Sequence, residues 1–233
     1  MRRIVTALFL FGISFGYVEA AVVVYLRALY QPIRAAVDPG RGPNDLFPLI
    51  TPQQLAGTGP ENTRRLIIEI VREGATMVML ASFALAVARD FHAWFAAFGV
   101  VFGIWDIAFY AFLRITIHWP PSLATWDILF LIPVPWVGPV WSPVVVALSM
   151  IVCGLIALQR DVRVRLRDTT IILAGAAIIF AAFIWDFRNT SAGGLPNPFN
   201  WPLFFAGEIV GLIGFASALT APKYPESRTK HDS

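Results

Sequence analysis

Long apolar runs, separated by short polar or proline-rich stretches, occupy most of this chain of 233 residues. A run of about 18 or more apolar residues is long enough for a helix to cross a bilayer. The pattern therefore predicts an all-α, polytopic membrane bundle of six transmembrane helices. The predicted spans cover approximately residues 4–29, 66–88, 93–117, 137–158, 169–187 and 201–221.

The composition agrees with this class, since 57% of the residues are hydrophobic, 14% are charged and the mean hydropathy is +0.67. A chain of this length is the size of one domain. We interpret residues 1–233 as a single integral membrane domain built from tandem helical hairpins. The hairpins are predicted at approximately 1–88, 89–158 and 159–222, and a polar tail follows at 223–233.

Spans one and three carry the same residue pattern. Residues 11–27 read FGISFGYVEAAVVVYLR, and residues 98–114 read FGVVFGIWDIAFYAFLR. Each matched glycine is a roughly 7% event by composition, and an acid and a terminal arginine recur in register with the glycines. We interpret the two stretches as an internal duplication. The aligned positions are Gly12 and Gly99, Gly16 and Gly103, Glu19 and Asp106, and Arg27 and Arg114.

The matched residues of each copy share one face of a helix. At 100° per residue, Gly12, Gly16 and Glu19 lie within one stripe, and Tyr110 joins the equivalent stripe of span three. A G-x-x-x-G pattern lets a second backbone approach closely, so these stripes are predicted to face protein and not lipid. We expect the four glycines to serve helix packing and the acids to face the interior of the bundle.

Basic residues concentrate at one set of span ends, in particular Arg2, Arg3, Arg89 and the run 160–167. The positive-inside rule predicts a multi-pass protein of the cell membrane with this side and both termini in the cytoplasm. The start of the chain resembles a cleavable signal peptide. Because the apolar run continues to Leu29 and is duplicated inside the chain, we expect it to be retained as span one.

Three longer connections, 30–65, 118–136 and 188–200, fall on the opposite side. The second is too apolar for a solvated loop and too rich in proline for a span. We expect it to be re-entrant or interfacial, which requires protein to cover its backbone. The tryptophans in and beside it are predicted to lie in the headgroup belt. They are Trp119, Trp126, Trp136 and Trp141.

Ionisable residues inside the spans are the candidate functional residues. Placing one at the centre of a span costs about 2.5–3.5 kcal/mol of insertion free energy, so such a residue marks a functional site by default. In span two, the spacing of Arg65, Glu69, Arg72, Glu73 and Thr76 predicts a ladder on one face, in which Arg72 bridges Glu69 and Glu73. The alternative is that these charges form structural ion pairs. The candidate substrate- or ion-binding residues are Glu19, Glu69, Arg72, Glu73, Asp106, Tyr110, Asp186 and Glu208.

Other chemistries find little support in the sequence. A single cysteine, Cys153, excludes an internal disulfide, and three scattered histidines argue against a haem or zinc site. The net charge of +3 gives no indication of a basic surface that binds nucleic acid. We expect no metal and no cofactor. The expected partners are membrane lipid and a small solute or cation, with a homo- or hetero-oligomer possible.

Three classes of function remain open. The first is binding or transport of a small solute or cation at an acidic, outward-facing site. The second is an intramembrane enzyme that uses carboxylates as general acid and base on a lipid or isoprenoid. The third is a structural or assembly subunit of a membrane complex.

One resemblance bears on the enzyme class. Residues 186–208, which include Asp186, Trp201-Pro202 and Glu208, resemble part of the short integral-membrane carotenoid cyclases. The resemblance implies acidic residues acting near a membrane rim. The paired acids that follow proline in that family are absent from this chain, which puts that activity in doubt.

Overall fold

The computed structural model describes residues 1–37, 39–40, 51–160, 162 and 164–220. Within these residues the fold is an all-α bundle, as predicted, and six of its helices are long and apolar enough to cross a membrane. This is the architecture of a multi-pass membrane protein. The six are α1 (Arg2–Val37), α3 (Pro60–Val87), α4 (Phe91–Ile117), α5 (Trp141–Arg160), α6 (Leu166–Phe183) and α8 (Trp201–Thr220). The short helices are α2 (Pro52–Gly57) and α7 (Phe187–Ser191).

Several span boundaries differ from the prediction by three residues or more. Span two begins at Pro60 and not at 66, and span five covers Leu166–Phe183 and not 169–187. The first helix continues to Val37, eight residues beyond the predicted end at Leu29. The fourth begins at Trp141 and not at 137, because residues 136–139 form a β-strand. Pro143 then lies in the first turn of α5, where the missing N–H costs no helical hydrogen bond.

Helix α4 is the centre of the bundle and packs against α1, α3 and α5, while α6 and α8 form a second closely packed pair. The main partner of α1 is therefore α4 and not α3, its neighbour along the chain. Helices α1 and α4 run parallel, since Gly12 lies against Val101 and Ile104, while Gly16 lies against Trp105 and Ala108.

The glycines explain how closely these helices approach. A Cβ added to Gly16 would lie 2.7 Å from the Cβ of Ala108, and one added to Gly103 would lie 2.5 Å from the carbonyl oxygen of Ala147 on α5. Either distance is too short for any side chain. Gly99 has ordinary room, because its added Cβ would lie 3.5 Å from the nearest atom, the carbonyl oxygen of Met150.

The unusual connection 118–136 contains the first strand and the turn of a β-hairpin. Strands β1 (Trp126–Phe130) and β2 (Trp136–Pro139) pair antiparallel, with an irregularity between Ile128 and Phe130. Val137 and Gly138 are buried, and an added Cβ at Gly138 would lie within 3.2 Å of the Phe183 ring. Protein therefore covers part of this segment, as an intramembrane or interfacial position requires.

Trp119 does not have the lipid-facing side chain expected of a belt residue. Its side chain is buried, and its ring lies 4.0 Å below the Arg27 guanidinium carbon. Trp136 also packs inward, against Phe180 and Phe183, whereas Trp141 is exposed. The cation–π contact stabilises Trp119 against Arg27 inside the protein.

The two ends of the bundle differ in character. We call the end with β1, β2 and the first turn of α3 the hairpin end. The opposite end, where α1 and α4 begin, is the basic end. Its described arginines are Arg2, Arg3, Arg89, Arg160, Arg165 and Arg167.

Candidate functional site

The first polar group, which we call the α3 cluster, consists of Glu19 on α1 and Glu69, Arg72, Glu73 and Thr76 on α3. Arg72 donates from Nε to Glu69 at 2.8 Å and also forms ion pairs with both Glu69 and Glu19. The Thr76 hydroxyl donates to the other oxygen of Glu19 at 3.0 Å. Glu19 is only 6% exposed, so the carboxylate is held in the interior by a guanidinium and a hydroxyl.

The predicted ladder along α3 is wrong in one detail. Arg72 bridges Glu69 to Glu19, and not to Glu73. Residues 72 and 73 are neighbours in sequence, and adjacent helix positions do not face each other. Glu73 instead accepts a hydrogen bond from the backbone N–H of Leu131 at 2.9 Å, so it ties α3 to the end of β1.

The second polar group, which we call the aspartate cluster, consists of Arg27, Asp106, Tyr110 and Asp127. The Tyr110 hydroxyl donates to Asp127 at 2.8 Å, and both side chains are buried. Burial raises the pKa of Asp127 to about 6, against the opposing effects of the Tyr110 hydrogen bond and the Arg27 charge. Asp127 therefore changes its charge near neutral pH, on a hairpin that lies against α4.

Two atoms of the aspartate cluster are buried without a hydrogen-bond partner among the described residues. They are Oδ2 of Asp106 and Nη1 of Arg27. Asp106 is 9% exposed and carries a charge when ionised, so leaving its oxygen unpaired in the interior is costly. Oδ2 of Asp106 can take up a proton or bind a cation, and Nη1 of Arg27 can donate a hydrogen bond to a polar ligand.

The aligned acids Glu19 and Asp106 belong to different clusters. In the described part of the chain no hydrogen bond joins them, because Glu19 turns to α3 and Asp106 lies on the side of α4 that carries Tyr110. Their depths are similar but not equal. Asp106 lies level with Gly16, which places Glu19 three residues, or about 4.5 Å, nearer the hairpin end.

Glu208 lies away from both clusters. It sits on α8, 7% exposed, and accepts a hydrogen bond from the Ser149 hydroxyl on α5 at 3.0 Å. Its surroundings are the walls of an apolar cavity between α4, α5, α6 and α8. A site that depends on several carboxylates would not include it.

Asp186 also lies apart, where it orders a loop. It accepts hydrogen bonds from the side chain of Asn189 at 2.9 Å and from the backbone and side chain of Asn197, each at 2.8 Å. Partial burial would raise the pKa of Asp186, but these hydrogen bonds outweigh it and hold the pKa below its usual range. The three donors account for Asp186 as a structural residue of the segment 186–197.

Sequence reasoning thus missed the residues that complete each group. Asp127, Arg27 and Ser149 were outside the candidate list, although Trp126-Asp127 repeats the pair Trp105-Asp106 and so carried a signal. Ser149 carried none, since a serine in an apolar helix is common. Among the described residues no group of three or more His, Cys, Asp or Glu side chains is arranged to hold a metal ion.

No family model matches the chain, and neither does any curated protein sequence or solved structure.

Proposed function

We propose that the protein binds a small cation or protonated solute at the α3 and aspartate clusters and carries it across the membrane. The supporting observation is an excess of acid in the interior. The clusters contain five carboxylates, and four guanidiniums lie in or beside them, so the acids exceed the bases by one. The carboxylates are Glu19, Glu69, Glu73, Asp106 and Asp127, and the guanidiniums are Arg27, Arg34, Arg65 and Arg72.

An excess of buried negative charge must be neutralised, either by pairing or by protonation. An ionised group away from water is stable only if it is paired, and otherwise it takes up a proton. The surplus acid therefore holds a proton or attracts a cation. This balance favours a cationic substrate over an anionic one.

The structural alternative explains only part of the arrangement. Arg72 with Glu19 and Glu69 is a complete ion-pair group, and such a group can hold helices together without binding anything. Asp106 is in no such pair, and its Oδ2 has no partner among the described residues. Asp106 is therefore the residue that supports binding over assembly.

Orientation follows from the charge distribution. We propose that the basic end faces the cytoplasm of the cell and that the hairpin end faces outward. On this orientation the site of the two clusters is proposed to be reached from the extracytoplasmic side. We also keep the duplication of spans one and three as a proposal, with Glu19 and Asp106 as the paired acids of the two copies.

The test is cation and proton flux in liposomes containing the purified protein and a pH-sensitive dye. Sodium, potassium and choline gradients are applied in turn. Asp106→Asn and Glu73→Gln are expected to lower the protein-dependent flux by about tenfold, the size of effect that losing one charge-assisted contact produces. Glu61→Gln, at an exposed position in the first turn of α3, is the matched control and retains full flux.

Two results would contradict the proposal. One is unchanged flux in Asp106→Asn with the protein correctly folded. The other is loss of folded protein in both variants and no flux in the unmodified protein for any of the gradients, which would favour the assembly subunit.

A further inference from the structure

An apolar cavity of about 240 Å³ lies between the α4–α5 pair and the α6–α8 pair. Its walls are almost entirely hydrocarbon, for example Val146, Met150, Ile179 and Phe215. The described polar side chains that line it are few, namely His92, Ser149, Cys153 and Glu208. It shares no residue with the α3 cluster or the aspartate cluster, so its role is independent of the function proposed above.

The cavity is elongated along α5. On α5 its lining runs from Val146 to Ala157, eleven residues apart, which corresponds to about 16 Å at 1.5 Å per residue. One end carries Glu208 and Ser149, and the other reaches His92 and Val164 at the basic end. This shape and lining fit one extended hydrocarbon chain better than a compact polar solute.

The polar end of the cavity offers a hydrogen-bond acceptor, the Glu208 carboxylate. Glu208 is 7% exposed, and only its Oε2 accepts a hydrogen bond from the described residues, from Ser149 at 3.0 Å. A carboxylate accepts several hydrogen bonds and donates none while ionised. The second oxygen, Oε1, accepts no hydrogen bond from the described side chains and is not sealed off by protein, so the head of a ligand can reach it.

We propose that this cavity binds a single-chain amphiphile whose head donates hydrogen bonds, such as a long-chain alcohol or amine. The head meets Glu208, and the chain extends along α5 toward the basic end. Alcohols and amines share the required chemistry, a donor on a hydrocarbon chain. An ester of the same length lacks the donor and so should be rejected.

The test uses photolabelling of the purified protein in phosphatidylcholine nanodiscs. The probe is hexadecanol with a diazirine in its chain, and labelled peptides are identified by mass spectrometry. We expect one saturable adduct on the cavity-lining residues of α5 and α8. Unlabelled hexadecanol and hexadecylamine should compete with the probe, whereas methyl palmitate should not.

Two variants separate the cavity from general lipid contact. A Cβ added to Gly211 meets no atom within 4 Å, so Gly211→Leu fills the cavity without a backbone clash. Its matched control, Gly57→Leu, also enters open space but lies on α2, outside the cavity. Gly211→Leu and Glu208→Leu should each reduce saturable labelling at least about tenfold, while the control leaves it unchanged.

Two outcomes would overturn the proposal. Labelling spread over lipid-facing residues of all the helices, unaffected by Gly211→Leu, would mean that the cavity takes no chain. Equal competition by the alcohol and the ester would mean that Glu208 does not select the head. Because Glu208→Gln preserves side-chain shape, it replaces Glu208→Leu if the latter does not fold, and it should weaken competition by the amine more than by the alcohol.

Discussion

Asp127 reaches the polar interior from a β-hairpin, while the other acids of the two clusters lie on helices. Its neighbours act in opposite directions on its charge. Burial favours the protonated acid, and the Tyr110 hydroxyl and Arg27 favour the carboxylate. Burial dominates and raises the pKa of Asp127 to about 6, well above that of an ordinary aspartate.

This shift predicts how stability depends on pH. The folded pKa of about 6 lies above the ordinary value of 3.8, so the stabilising contribution of Asp127 is fully present below pH 4 and is lost as pH rises through 6. Relative to Asp127→Asn, the unmodified protein should therefore lose on the order of 3 kcal/mol between pH 4 and pH 7. Thermal unfolding in one detergent across this range measures the difference.

Asp186 supplies the control for that experiment. Its pKa is lowered, so its contribution is present at neutral pH and is lost only as pH falls toward and below the ordinary pKa of 3.8. The difference between the unmodified protein and Asp186→Asn should be flat from pH 5 to 7. A flat profile for Asp127→Asn as well would contradict the assignment of a raised pKa.

At the residue scale, the sequence predicts which side chains are polar in an apolar setting but not which of them meet. Glu69, Arg72 and Glu73 lie on one helix, and their spacing could be read directly. The partner of Arg72 on another helix could not, because helical periodicity contains no information about which helices pack together. For the same reason Glu208 was grouped with acids that the fold keeps apart from it.

At the element scale, the close contact between α4 and α5 depends more on Gly103 than on Gly99. An added Cβ at Gly103 would collide with the Ala147 carbonyl oxygen, and one at Gly99 would not. Gly103→Ala should therefore destabilise the protein by about 1–3 kcal/mol through overpacking. Gly99→Ala should be neutral or stabilising by up to about 1 kcal/mol, because alanine is the better helix former. Thermal unfolding of the two variants in the same detergent is the measurement, and equal effects would contradict this account of the packing.

The helices themselves were predictable, and the β-hairpin was not. Six apolar runs of sufficient length leave little choice other than six helices. Residues 126–139 contain no strict alternation of apolar and polar side chains, because both faces of the hairpin meet protein at positions such as Val137 and Gly138. The prolines in this segment indicated only that it could not be a helix.

At the scale of the whole molecule, the side of the membrane on which each end lies is a proposal that labelling can test. In a Cys153→Ala background, Ser122→Cys places a thiol on an exposed loop at the hairpin end, and Leu166→Cys places one at the exposed start of α6 at the basic end. A membrane-impermeant maleimide applied to intact cells should label the first and not the second. Permeabilised cells should give both signals.

The pattern of labelling distinguishes two errors. Reversed labelling would place the basic end outside and would invalidate the outward-facing site. Labelling of both thiols in intact cells would contradict the arrangement of six spans, because the two positions lie at opposite ends of the bundle.

The pairing of α1 with α4 has a consequence for biosynthesis. When α1 and α3 leave the ribosome, the helix that will hold them together has not yet been translated. The contact between Arg72 and Glu19 needs only the first two long helices, so these charges can neutralise each other at the translocon before α4 arrives. Such pairing would lower the cost of moving two charged segments into lipid.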